Sequence, residues 1–515
     1  MSKKKILWVD DEIDSLKPHI LFLEQKGFEI KTAVSGDDAV ALVRDEQLDL
    51  VLLDEMMPGK DGLTTLEEIK EINPHLPVVM VTKSEEETLM EEAIGQKIDD
   101  YLTKPVNPSQ VLMVTKRILD TKKIITESRM KRYITDINKL NQKLYGAMEP
   151  QDWLDAARVL AGWDLEMDQN PDEGLLQTHT GSRHDLNIEF TKYLDKHYAD
   201  WLHSDQRPML SPDVLKNCMI PLLKGGSKVL LLVVDCMRLD QWLTVEPLLS
   251  EYYNINRQTY FSILPSATPF ARNALFAGMF PDDISNEFPN IYRDGDEGSL
   301  NRNEDQLLQN LLEKENVKLS GAVRYEKIYD NTEGEALAKR VADFYQSEMV
   351  AFVFNFLDIL AHGRSNNVIL REIAGGEAAF RSLMLSWFTH SPLLTILKAF
   401  AKRDFTVIVT SDHGSVLCSR GTMAHGKRDT STNLRYKYGD NLNCDTKDAW
   451  LIKKPEDYRL PKFGLATTYL VAKEDFFFVY PNNYNDYIRQ FNNSFQHGGI
   501  SLEEMVVPLA VMTPR

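Results

Sequence analysis

Three apolar runs in the second half of the chain, KVLLLVVD, VAFVFNFLD and FTVIVTSDH, each end on a carboxylate: Asp235, Asp358 and Asp412, the last followed by His413. In an open parallel sheet, ligands bind beyond the carboxyl ends of the strands, so acids delivered by separate strands converge although they lie far apart in sequence. Asp358 and His362 stand four residues apart in LDILAH and share a face if the chain turns helical after the strand. The neighbours Asp412 and His413 point in different directions, which suits ligands shared between two ions about 4 Å apart. His497, in QHGG, precedes an acidic helical turn and a closing apolar strand. Imidazole with carboxylate is a zinc-like donor set.

Between these runs lies LPSATPFARNALFAGMFP, in which Thr268 opens a helix. Its hydroxyl then sits near the positive end of the helix dipole, where phosphate also binds. A neutral alcohol attacks poorly, so Thr268 needs an ion to lower its pKa, and Asp235 fits as a ligand of that ion.

The front of the chain carries a second pattern. Short apolar runs alternate with helical periodicity to about residue 120, the rhythm of a doubly wound sheet, with LDLVLLDEMMP as its central strand. Asp10 and Asp11 close the first strand, Asp54 the central one, and Thr82, Tyr101 and Lys104 follow in VTKS and YLTKP. A carboxylate accepts a phosphoryl group only when a divalent cation neutralises both partners, and Mg²⁺ takes a few carboxylates plus water and phosphate oxygens. Asp10, Asp11 and Asp54 supply that set, Lys104 a cation for the phosphoryl oxygens, and Thr82 a hydroxyl that senses the product, with Tyr101 placed to move with it.

From Lys122 the alternation gives way to a period near 3.5, with Ile125, Tyr133, Ile137, Leu140 and Leu144 as an apolar stripe that needs a partner helix. Further helical segments reach Trp201, and Lys224-Gly-Gly-Ser227 turns the chain into the strand ending at Asp235. The expected organisation is α/β: a doubly wound domain over 1–121, a helical bundle linker over 122–206, and a larger α/β domain over 207–515. A polar insertion at 430–465 is placed to form a pocket rim. The net charge of −18 argues against wrapping duplex DNA, whose affinity comes from Lys and Arg. Four cysteines without C-x-x-C spacing suggest neither a disulfide framework nor a thiolate zinc site. With no signal-like or membrane-spanning stretch, a cytoplasmic location is expected.

Residues 1–120 resemble the receiver domain of bacterial response regulators. The resemblance implies that Asp54 is the phosphoacceptor for a cognate sensor histidine kinase and that Asp10, Asp11 and Asp54 hold Mg²⁺. It also implies that Thr82 and Tyr101 couple phosphorylation to a dimerisation surface, with Lys104 on the phosphoryl group. Residues 207–515 resemble the PglZ branch of the alkaline phosphatase superfamily through Asp235, T-P-F-A-R-N, D-x-x-x-H, S-D-H-G and H-G-G. That likeness implies two Zn²⁺ ions, one held by Asp358, His362 and His497, the other surrounded by Asp235, Thr268, Asp412 and His413. Thr268 would be the nucleophile, passing through a phospho-threonine. Arg272, His425 and Lys427 are candidates for gripping substrate phosphate, since cations favour it by charge and donor geometry.

Superfamily diesterases commonly use threonine where the monoesterases use serine, so Thr268 leans towards a diester. A sulfatase is unlike this chain, because threonine cannot be oxidised to formylglycine. The three-part layout is similar to response regulators of type IX secretion in Bacteroidetes. It implies a phosphodiesterase acting on cyclic or linear oligonucleotides, a phosphorylation-promoted homodimer and a sigma factor as partner. Two other readings stand beside it: an adaptor whose metal is structural, and a phosphomonoesterase or phosphomutase.

Overall fold

The apolar runs at the front of the chain form five short strands: β1 (Lys5–Val9), β2 (Glu29–Ala33), β3 (Leu50–Asp54), β4 (Val78–Thr82) and β5 (Asp100–Thr103). All pair in parallel, in the order β2-β1-β3-β4-β5. Side chains alternate across a strand. Leu7, Val9, Val51 and Leu53 therefore enter one core, and Ile6, Trp8, Leu50 and Leu52 enter another on the opposite face. A sheet buried on both faces explains why β3 reads as an unbroken apolar run. The strand order reverses between β1 and β3, and the crevice at such a switch point receives ligands.

The structure is a computed structural model that describes residues 3–83, 98–292, 301–366, 372–373, 375–426, 433–480 and 484–515. By its internal contacts the chain divides into two units, Met1–Thr135 and Asp136–Arg515. The apolar stripe beyond Lys122 belongs to one long helix, Pro108–Leu144, of which Ile137 and Leu140 are buried. Among the described residues, no helix is long and apolar enough to cross a membrane.

The second unit is built on a six-stranded mixed sheet. Strands β6 (Lys228–Val234), β7 (Tyr253–Phe261), β8 (Arg324–Ile328), β9 (Met349–Phe354) and β10 (Phe405–Thr410) are joined by a last strand, Val506–Pro514. The order is β7, the last strand, β10, β6, β9, β8, with β10, β6, β9 and β8 mutually parallel. The last strand lies antiparallel between β10 and β7.

The linker is helical as expected: Pro150–Gln169 and Glu173–His203 group with this unit and pack on its sheet. Phe190 lies 5.2 Å from Trp153 and 6.1 Å from Phe261 of β7, between ring centroids, and Trp201 lies 5.2 Å from Phe261. A buried charge network completes the attachment. Arg381 bonds Asp168 at 2.6 Å and Asp240 at 2.7 Å; Arg238 bonds Asp240 at 2.9 Å and Glu377 at 2.6 Å. Arg183 pairs with both Asp164 and Glu377. His179, one of the linker histidines, packs fully buried at 3.1 Å from Asp164.

Candidate functional site

In the first unit, Asp54 ends β3 and Asp10 follows β1, so both carboxylates stand at the switch point. Lys104 reaches Asp10 at 2.8 Å and Asp54 at 2.9 Å, and ligand oxygens of Asp10, Asp11 and Asp54 lie within 4.8 Å of one another. Asp11 is exposed while Asp10 and Asp54 are buried. Burial pushes the Asp54 carboxyl up, against the opposing pull of Lys104. This all-oxygen donor set fits a hard cation such as Mg²⁺. Thr82 ends β4, and its hydroxyl donates to the Glu55 carboxylate, a partner that sequence reasoning missed. Tyr101, on β5, is 42% exposed.

In the second unit the carboxyl edge of the parallel strands collects the expected residues. Asp235 follows β6 directly, and Asp412 and His413 come two and three residues after β10. At β9 the pattern differs from expectation. The strand stops at Phe354, Asn355 follows it, and Asp358 lies in the first turn of the helix Phe356–Asn366. The Asn355 carbonyl accepts from the Ile359 amide at 3.1 Å, which starts the helix early and places Asp358 and His362 on one face. Thr268 is the first residue of the helix Thr268–Ala277.

These elements bring two donor clusters together. Asp358 Oδ1 lies 3.3 Å from His362 Nε2 and 3.1 Å from His497 Nε2, and the two imidazole nitrogens are 2.9 Å apart. Asp235, Asp412 and His413 form the second, fully buried cluster. The His413 and His497 rings stack with centroids 4.3 Å apart, so the clusters are neighbours. Thr268 Oγ1 stands 3.0 Å from His413 Nε2 and 3.4 Å from Asp235 Oδ1.

Each cluster offers donor atoms within 4.8 Å of one another, and the buried Asp358 Oδ1 makes no hydrogen bond. Carboxylate with imidazole is a set that fits a zinc-like ion. His413 Nδ1 lies 3.0 Å from the Gly414 carbonyl, to which it donates, leaving Nε2 with its lone pair facing Thr268. Burial lowers His413 to about 4, against the pull of Asp412, so the ring is neutral at pH 7. Burial raises Asp358, but the two imidazoles beside it hold it well below the usual carboxylate range.

The remaining expected residues are placed differently. Arg272 is fully buried, its guanidinium committed to Asp235, to Asp412 at 2.9 Å, to Asn355 at 3.1 Å and to Glu304 at 3.5 Å. It therefore holds the carboxylates of the cluster together, a different task from the substrate grip expected of it. His425 is exposed, and its backbone pairs with Asn443. Lys427 lies outside the described residues.

The first cluster, and the second through Asp235, line one cavity of about 620 Å³. Its wall includes Thr268, Asp235, Asp358, His362 and His497, together with Lys327, Tyr329, Tyr487 and Phe491. Asn433, Leu434 and Tyr436, from the segment expected to form a rim, also line it. Lys327 escaped sequence reasoning: it lies on β8, its ammonium 3.0 Å from the buried Glu304. A charged residue near the end of a partly polar strand is too common to be singled out.

Comparison with known proteins follows the same division. The family described as the BREX system PglZ alkaline phosphatase-like domain matches residues 214–512, the response regulator receiver domain matches 6–116, and the PorX response regulator linker domain matches 123–202. The transcriptional regulatory protein ResD of Bacillus subtilis is 36% identical over 118 residues, 23% of this chain and 49% of its own length. The alkaline phosphatase synthesis transcriptional regulatory protein PhoP of Bacillus subtilis is 34% identical over 24% of this chain and 52% of its own. The chain thus spans about half the length of the curated relatives it matches. Among solved structures, a CheY-like receiver domain protein of Methanospirillum hungatei is 30% identical over 24% of this chain and 98% of that one, with a TM-score of 0.23.

Proposed function

The chain belongs to the PglZ family of alkaline phosphatase-like domains, carried behind the receiver and linker of a PorX-type response regulator, and from that premise we propose that its second unit is a two-zinc phosphodiesterase for cyclic or short linear oligonucleotides. The observation that carries this reading is the position of Thr268 Oγ1, 3.0 Å from His413 and 3.4 Å from Asp235, in a cavity shared with Asp358, His362 and His497. Two zinc ions bound there would neutralise the attacking and leaving oxygens and lower the pKa of the hydroxyl.

The chain's own residues do the rest. The Thr268 oxygen attacks phosphorus, one phosphorus–oxygen ester bond breaks, and the first alcohol departs. Water then cleaves the phospho-threonine and regenerates the hydroxyl. The helix beginning at Thr268 directs its free backbone N–H groups towards bound phosphate. Arg272 keeps Asp235 and Asp412 in register beneath the reacting group.

The receiver domain implies a cognate histidine kinase. In this proposal that kinase phosphorylates Asp54 with Mg²⁺ held by Asp10, Asp11 and Asp54. Thr82 and Tyr101 relay the change to a homodimer surface, and the protein acts in the cytoplasm on type IX secretion with a sigma factor as partner. The test is zinc-supplemented hydrolysis of bis-p-nitrophenyl phosphate against p-nitrophenyl phosphate, by wild type and Thr268→Ala, with and without beryllofluoride. Diester turnover lost in the variant supports the proposal. Preferred monoester turnover points instead to a monoesterase, and two bound ions with no turnover point to an adaptor.

A further inference from the structure

The lining of the cavity also includes aromatic side chains beside the donor clusters. There Tyr487 and Phe491 present half-buried rings from the helix Tyr484–Phe491, with centroids 5.6 Å apart at 39°. They stand four residues apart, hence on one helix face. Tyr480 packs edge-on against Tyr487 at 5.8 Å. Both residues also pack against the apolar cluster of Val416, Cys418, Phe477 and Val479. Ile359, next to Asp358, is 47% exposed in the same cavity.

This wall is tied to the reacting centre at both ends. The helix carrying Asp358 and His362 packs against the helix carrying Tyr487 and Phe491. Phe491 leads through a three-residue strand, Ser494–Gln496, directly to His497. The same segment therefore delivers a metal-set histidine and the aromatic wall. Aromatic side chains left open to a cavity beside a phosphate-handling centre are what a nucleobase stacks on, and such stacking tolerates any base because each has a π-face.

We infer that Tyr487 and Phe491 are specificity-determining residues, a stacking platform for the unpaired base next to the scissile phosphate. The inference rests on the diesterase reading above and refines it. A base held in a helical stack offers no free face, so the platform selects single-stranded or cyclic oligonucleotides over duplexes.

The test compares two diesters with the same leaving group, thymidine 5′-(4-nitrophenyl phosphate) and methyl 4-nitrophenyl phosphate. In Tyr487→Ala/Phe491→Ala, kcat/KM for the thymidine ester should fall about tenfold or more, mainly through KM, while the methyl ester changes by less than about twofold. Tyr487→Leu/Phe491→Leu, which keeps the packing without a π-face, should show the same selective loss, and Tyr487→Phe/Phe491→Tyr should retain wild-type preference. Equal loss on both esters, or thymidine turnover unchanged in the leucine pair, overturns the platform. If wild type hydrolyses neither ester, the diesterase reading falls, and equilibrium binding of dithymidine methylphosphonate decides separately. Binding about tenfold weaker in the leucine pair supports the platform; equal binding, or none to either protein, overturns it.

Discussion

At the edge of the first sheet Asp10 and Asp54 share Lys104 beside the exposed Asp11, whereas at the edge of the second sheet Asp235 and Asp412 share the buried Arg272 and stand beside histidines. Both sites exploit the same property of parallel strands, yet they handle crowded negative charge in opposite ways. The first leaves a carboxylate in water and offers oxygen donors alone, so a hard, well-hydrated ion can enter and leave with the phosphoryl group. The second buries Asp235, Asp412 and His413 and adds imidazole, a softer donor set than oxygen alone. A switch needs a site that empties; a hydrolytic centre needs one that does not.

The largest effect separating the two regions is expected from Thr268→Ala. Diester turnover should fall by about a thousandfold or more, while metal analysis still finds the wild-type zinc content and Asp54 is still phosphorylated. Loss of zinc along with turnover would show that Thr268 builds the site rather than acting in it. Next in size is Gly414→Ala. A Cβ at that position collides with the Glu503 carbonyl oxygen, so the second unit should lose roughly 3 kcal/mol or more in thermal denaturation, with the receiver transition unmoved.

Glu377→Gln should cost the second unit about 3 kcal/mol at neutral pH, because it breaks a buried network of charges. Burial raises the Glu377 carboxyl, but Arg183, Arg238 and Arg381 outweigh it and hold the group far below its ordinary 4.5. A depressed carboxyl stabilises the fold fully above its unfolded value and loses that contribution as pH falls through the folded one. The difference between wild type and variant should therefore be full above about pH 5 and shrink steadily in acid; a constant difference would remove the network from the account. The smallest effect is Asp54→Asn, which should leave zinc content and unstimulated turnover within about twofold of wild type while abolishing beryllofluoride-dependent self-association in sedimentation.

What was legible in the sequence is the part set by local rules. Apolar runs stopping at Asp54, Asp235 and shortly before Asp412 mark strand ends, and Pro269 after Thr268 marks a helix start. The spacing of Asp358 and His362 needs only a helix to put them on one face. The strand preceding them ends at Phe354, four residues before the acid that closes the apolar run, and the boundary is marked by Asn355, the polar residue that interrupts it. Arg272 shows what pattern reasoning cannot supply. Its charge suggested phosphate, but its partners Asp235, Glu304 and Asp412 lie far away in sequence, and only the folded chain shows its donors already engaged. The same holds for Arg183 and Arg238, which meet at Glu377 and tie the linker helices to the second unit. The helix Tyr484–Phe491 carried no distinguishing motif, since tyrosine and phenylalanine four apart describe any amphipathic helix.

The strand Val506–Pro514 is inserted between β7 and β10 rather than added at an edge, and the Gly414 amide donates to the Glu504 carbonyl just before it. During synthesis, domains fold as units from the N-terminal side. The receiver can therefore be complete and responsive to its kinase while the sheet of the second unit still lacks an interior strand. On the ribosome the molecule can hear its signal before it has anything to do about it, and a chain cut short between residues 135 and 506 would be a listener without a voice, competing for the kinase with the finished protein.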